Sequence, residues 1–189
     1  MATRALIGII EGTEIKGIYC HHDGYCAEIS EGRDGGRASI SYGLGKKLLD
    51  HYKTREIVLA LIKEGGASIV GITPEGEGIK DILVETGQKT YEELIFNTSF
   101  RPNPNYSVFY HREMGRELEI ITAEYTGANA VEALNEAYGV SNIEFIYIFE
   151  NGHWKIYEIE NDDETLTITG GMYVSEYIAA KEQEFEALK

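Results

Sequence analysis

Thr3-Arg4-Ala5-Leu6-Ile7-Gly8-Ile9-Ile10-Glu11-Gly12-Thr13-Glu14-Ile15-Lys16-Gly17-Ile18-Tyr19-Cys20-His21 reads as two β-rich runs, 3–11 and 14–21. Gly12-Thr13 separates them, the signature of a tight hairpin. The hairpin delivers Tyr19-Cys20-His21-His22-Asp23-Gly24-Tyr25-Cys26, the densest cluster of reactive or ligand-capable side chains in the chain. Tyr, His, Asp and Cys can donate, accept, transfer protons or hold a metal, and Gly24 permits a turn that a side chain would obstruct. Period-two alternation expects Cys20 and His22 on one face of the second strand and His21 on the other.

Outward from this core, residues 26–42 are rich in Gly, Ser and charge and read as a mobile loop or flap. Residues 45–52 and 54–63 read as helices, the second N-capped by Thr54 and stopped by Gly65-Gly66. Residues 67–89 suggest irregular strands and 90–96 a helical turn or two, before Arg101-Pro102-Asn103-Pro104-Asn105 breaks the pattern. Beyond it, 106–111 and 117–123 read as strands and 128–138 as an amphipathic helix. Residues 143–150 and 153–160 form a hairpin about Asn151-Gly152, followed by a strand at 165–169 and a closing helix at 174–188. The fold class expected is α+β, antiparallel β-hairpins forming a mixed sheet packed with several helices. It is read as one compact domain over 1–189, or as two lobes, 1–100 and 106–189, sharing an interface.

The 189 residues are 43% hydrophobic and 26% charged, as in an ordered domain rather than a disordered chain. The apolar run 5–10 is too short for a signal peptide core or a membrane span, and two cysteines do not make a disulfide framework. A cytoplasmic protein with no membrane partner is the expectation. The net charge of −15 is uneven: residues 1–112 carry 13 basic against 15 acidic side chains, residues 113–189 only 4 against 17. Such an acidic surface repels phosphate backbones, so non-specific nucleic-acid binding is not expected.

Several chemistries compete for the candidate residues. Cys20, His22 and Cys26, with His21, His51 or His111, could ligate zinc, but a lone pair of cysteines with five residues between them lacks the usual paired spacing, and no metal or cofactor is expected. His21, Asp23 and His111 could serve acid–base catalysis on a phosphodiester, or His21 and Asp23 could simply fix the loop. Arg4, Lys46 and Arg112 could hold an anion, helped by amides at a helix beginning near Gly45, while Tyr19, Tyr25 and Tyr110 stack on a base. No P-loop or dinucleotide fingerprint is present. The expected ligand site is therefore Arg4, Tyr19, His21, Asp23, Tyr25, Lys46, Tyr110, His111 and Arg112, for a small nucleotide-like ligand bound rather than turned over. Glu117, Glu119, Glu124, Glu132, Glu136, Glu144 and Asp162-Asp163-Glu164 could alternatively imitate a DNA phosphate track. A homo-oligomer, most simply a dimer, is expected from edge strands and from Tyr147, Phe149, Trp154 and Tyr157 as an aromatic surface. The Gly-rich segment 31–36, with Arg33 and Arg37 beside it, is expected to close over a filled pocket.

Thr3-Arg4-Ala5-Leu6-Ile7-Gly8-Ile9, Tyr19-Cys20-His21-x-Asp23-Gly24-Tyr25 and Gly45-Lys46-x-Leu48-Leu49-x-His51-Tyr52 resemble a family of uncharacterised small proteins of phages, prophages and bacteria. So do Tyr110-His111-Arg112-x-x-Gly115 and Tyr147-Ile148-Phe149-Glu150-x-Gly152-x-Trp154. The chain departs from that pattern at His22, usually aromatic, at Cys26, usually proline, and in the longer segment 27–42. The resemblance implies a phage-type accessory protein with an anti-defence role, such as sequestering a host immune signal.

Overall fold

The computed structural model describes residues 3–31, 37–97, 100–101, 103–125, 130–139, 142–162 and 165–189, the side chains of 161, 162, 165 and 166 excepted. In chain order the elements are β1 (Ala5–Glu11), β2 (Glu14–Cys20), β3 (Ala27–Ser30), β4 (Ser39–Tyr42), α1 (Leu44–His51), α2 (Arg55–Lys63), β5 (Ala67–Ile69), β6 (Thr73–Gly76), α3 (Ile79–Thr86) and α4 (Tyr91–Asn97). There follow β7 (Tyr106–Phe109), α5 (Tyr110–Glu113), β8 (Ile121–Glu124), α6 (Ala130–Tyr138), β9 (Phe145–Glu150), β10 (His153–Asp162), β11 (Thr165–Tyr173) and α7 (Val174–Ala187). The fold is α+β.

One nine-stranded sheet runs β11-β10-β9-β1-β2-β5-β7-β6, with β8 also on β2. β1 and β2 pair antiparallel from Ala5 opposite Cys20 to Glu11 opposite Glu14, leaving the two-residue turn that Gly12 closes at φ +68°. β1 then pairs parallel with β9, Ala5 opposite Phe145. Flanked on both sides, β1 is buried on both faces from Ala5 to Ile9, which is why it reads as an unbroken apolar run rather than an alternating one. Pro74 lies in β6, the terminal strand, where a missing N–H leaves no gap in an interior ladder.

Alternation divides the core. Ala5, Ile7, Ile18, Cys20, Tyr147 and Phe149 meet α1, α2 and α7 on one face. Leu6, Ile15, Ile146 and Ile148 meet Val131 and Leu134 of α6 on the other. Gly8 and Gly17, opposite each other, form a notch on this second face. A Cβ at Gly8 would come 2.9 Å, and one at Gly17 2.6 Å, from a methyl of Leu134, so α6 seats where side chains are missing.

The structure corrects the sequence reading in four places. Residues 26–42 contain a hairpin, β3 with β4, and Tyr42 donates to Glu182 of α7 at 2.7 Å; the tip expected to act as a flap includes residues 32–36, outside the described residues. Residues 79–86 are a helix, bounded by Gly78 and Gly87 in left-handed conformations. Tyr110-His111-Arg112 belongs to a helical turn rather than a strand, and the buried Glu113 carboxylate of that turn reaches back to accept the Phe109 N–H at 2.7 Å. Tyr147, Phe149 and Trp154 are interior, 0%, 4% and 4% exposed, and Tyr157 is half-buried, so three of the four rings expected to form a dimerising surface are core. No helix among the described residues is long and apolar enough to cross a membrane.

Candidate functional site

The outer edge of β2 is shared between two strands. Glu14 to Gly17 pair antiparallel with β8, whereas Cys20 pairs parallel with Ala67 of β5. The β5 side continues as the His21 N–H donates to Ala67 at 3.1 Å and the His22 N–H to Ser68 at 3.0 Å. Where the two partners part, beside Tyr19, a half-open cavity of about 1070 Å³ opens, slightly larger than small-ligand sites usually are.

The glycine notch sets one wall. Gly17 and Tyr19 share a face of β2 and Leu134 and Tyr138 share a stripe of α6, so seating Leu134 on the notch lays Tyr138 on Tyr19. Their rings stack at 5.2 Å with planes 17° apart. Tyr110 and Tyr91 extend the lining, with Phe96, His21 and His22. Tyr91 is buried, with Ser68 beside its hydroxyl. The segment from Arg116 to Glu119 forms the exposed wall. It is tied down at both ends, since the Arg116 N–H donates to Tyr110 O at 3.0 Å and the Gly66 N–H to Glu119 O at 3.1 Å.

At the floor, the Tyr19 hydroxyl lies 2.7 Å from His21 Nδ1. The Arg4 guanidinium, a donor only, faces the same hydroxyl. With that cation beside the phenol, we assign the phenol proton to the Nδ1 bond, which leaves His21 with its proton on Nε2. Burial, then His22, Arg4 and Arg116, push the His21 pKa below its ordinary value. Burial pushes the Tyr19 phenol up, the Arg4 charge opposing it; burial likewise raises Tyr110 and Tyr138. At neutral pH Tyr19 and His21 are thus an uncharged donor–acceptor pair beside aromatic faces, with the Arg4 charge close to the Tyr19 hydroxyl. Arg116 is engaged, bonding Glu92 at 2.7 Å and stacking 4.7 Å over the Tyr110 ring.

Of the residues expected from sequence, Tyr19, His21 and Tyr110 come together here, with Arg4 against Tyr19. Arg4 itself and the others do not line this cavity. His22 faces it with His21, ring centroids 4.4 Å apart, instead of sharing the Cys20 face, because the strand ends at Cys20 and alternation lapses. Cys20 and Cys26 are free, buried thiols, each pushed up to about 12, chiefly by burial.

Asp23, Gly24 and Tyr25 serve as a joint. Asp23 sits at φ +58° and its carbonyl accepts the Leu44 N–H at 2.7 Å, while Tyr25 O accepts the Gly45 N–H at 3.3 Å. The amides expected to cradle an anion at the start of α1 are therefore already bonded to the chain. The Gly24 N–H donates to Thr3 O at 2.9 Å, and its carbonyl accepts from the buried Tyr147 hydroxyl at 2.8 Å. Lys46 is paired with Asp50 one turn along α1.

His111 and Arg112 face elsewhere. Arg112 bridges Glu64 at 3.0 Å, Glu113 at 2.7 Å and Pro74 O at 3.0 Å, and His111 Nε2 lies 3.9 Å from Glu64. A catalytic pair of His21 and His111 across one pocket is not assembled. Asp23, the third member of that expected set, is committed to the joint. Tyr91, Tyr138 and Arg116 are lining residues that the sequence reading did not select. Tyr138 was legible only as part of the apolar face of its helix.

Comparison with family models, with curated proteins and with solved structures finds no significant match to this chain.

Proposed function

We propose that the protein captures a small nucleotide-like ligand in the cavity beside Tyr19 and holds it without transforming it. The observation that supports this reading is the lining: five aromatic rings, Tyr19, Tyr91, Phe96, Tyr110 and Tyr138, around the Tyr19–His21 hydrogen bond. A base gains about 1–3 kcal/mol from one stacking partner, and the floor supplies neutral donors and acceptors for its edges or sugar. The resemblance to phage and prophage proteins favours sequestration of a host signal as the purpose, since binding alone would then suffice.

The test is to incubate the purified protein with a mixture of linear and cyclic nucleotides, wash it, release what is retained by heat and identify it by mass spectrometry. The expected result is an unchanged nucleotide-like compound, retained by the wild type and lost by Tyr110→Ala. Release of a cleaved product would make the protein an enzyme, and retention of nothing would remove the reading.

A further inference from the structure

The nine-stranded sheet ends on two strands whose open edges differ. An edge strand presents unpaired N–H and C=O groups, and monomeric proteins blunt it with brevity, proline or charge. β6, at one end, has all three: it is four residues long and carries Pro74 and Glu75. β11, at the other, has none. It runs nine residues, Thr165-Leu166-Thr167-Ile168-Thr169-Gly170-Gly171-Met172-Tyr173, without a proline or a charged side chain, in a chain that is 26% charged. One side of its backbone bonds to β10, and among the described residues no other element bonds to the backbone of 165–169.

A bulge at Gly171, where Ile156 pairs with Met172 but Tyr157 with Gly170, turns the strand aside near its C-terminal end. Thr165–Thr169 keep a regular register, from opposite Asp162 to opposite Glu158. That segment is a palindrome in residue class, threonine and aliphatic residues alternating from Thr165 to Thr169. A two-fold interface needs a surface that is its own complement, and antiparallel pairing centred on Thr167 supplies one. Thr165 then falls opposite the partner's Thr169, Leu166 opposite the partner's Ile168 and Thr167 opposite the partner's Thr167. We propose that β11 is the interface of a two-fold homodimer, in which Thr165–Thr169 of two copies pair antiparallel about Thr167 and join their sheets into one.

Thr167 and Thr169 are exposed, and threonines facing each other across strands stabilise a pair. On the other face, half-buried Ile168 packs on the α6 side of the core, so that apolar face continues across the junction. The net charge of −15 on each copy opposes association, but the junction is set back from it. Glu158 and Glu160 of β10, opposite Thr169 and Thr167, stand one strand behind the edge. With strands about 4.8 Å apart, the two β10 strands lie about 14 Å from each other, beyond the screening length of about 8 Å at physiological salt.

A junction of five residue pairs is small, so the dimer is weak and its population depends on concentration and salt. The experiment is sedimentation velocity of the full chain from about 5 to about 500 µM, in about 50 and about 500 mM sodium chloride. The expected result is a monomer–dimer equilibrium with a dissociation constant at least about threefold lower at the higher salt. Thr167→Lys, which sets like charges together at the two-fold axis, should weaken it at least about threefold while keeping the melting temperature of the monomer. Cross-linking reads the register, because Cys20 and Cys26 are buried. Oxidation should join two copies of Thr167→Cys, which meet at the axis, and not two copies of Thr169→Cys, which stand about 14 Å apart along the strands. A monomer at the highest concentration in both salts, a dimer that Thr167→Lys leaves as tight, or Thr169→Cys cross-linking as readily as Thr167→Cys overturns the inference.

Discussion

Tyr19-Cys20-His21-His22 and Asp23-Gly24-Tyr25-Cys26 are adjacent and comparably rich in reactive side chains, yet the structure uses them differently. In the first half, Tyr19, His21 and His22 project from the end of β2 into a cavity left where β5 and β8 part. In the second, the backbone makes the contacts: Asp23 and Tyr25 carbonyls hold the start of α1, and Gly24 locks Thr3 on one side and Tyr147 on the other. Residue chemistry alone does not separate the two. What separates them is whether a side chain faces space, which depends on strands arriving from positions 67 and 121, far along the chain.

This contrast can be broken first at Gly24. A Cβ there would sit 2.7 Å from Thr3 O and 2.9 Å from the Arg4 carbonyl carbon, backbone atoms that cannot swing aside. Gly24→Ala should cost about 3 kcal/mol in urea unfolding. Gly17→Ala meets mainly the movable end of Leu134, although Ile7 O also lies at 3.0 Å. It should cost about 1.5 kcal/mol and, by lifting α6 and Tyr138 off Tyr19, weaken ligand binding as measured by titration. Tyr147→Phe removes a buried hydroxyl from Gly24 O and should cost about 1 kcal/mol with no effect on ligand affinity. His21→Ala, at the cavity, should change stability by less than about 1 kcal/mol yet abolish retention of the ligand. A His21→Ala loss as large as that of Gly24→Ala would erase the distinction between the halves.

The smallest effect is in pH. Because burial and its neighbours hold His21 below its ordinary value, the unfolded chain takes up the proton first as pH falls below about 6.5. Stability then declines with falling pH until the lowered folded value is reached, and levels off below it. Melting temperatures at pH 7.5 and 5.5 should therefore differ more for the wild type than for His21→Gln.

The local features of the fold were legible because their signals are local. Gly12-Thr13 and Asn151-Gly152 do close hairpins, and the Thr54 side chain does accept from the Ile57 N–H at the start of α2. The parallel pairing of β1 with β9 was not, since no short-range pattern records which strand a distant one will meet. Helix α3 was hidden by the glycines that bound it. At the site, Tyr19, His21 and Tyr110 could be picked out by residue type, whereas Tyr91 and Arg116 carry no sequence signal beyond their own names. Arg112 illustrates the converse: a cation beside a histidine reads as an anion donor, but its charge is spent on Glu64 and Glu113.

The five histidines report on the central claim without any substitution. His21 and His22 line the cavity, His111 lies by Glu64, His51 ends α1 and His153 begins β10. Imidazole NMR signals followed through a titration with the best-retained nucleotide should move for His21 and His22 alone, and stay fixed for His51, His111 and His153. Movement of His111 together with an unmoved His21 would contradict the site and place the ligand on the Glu64 side of the sheet.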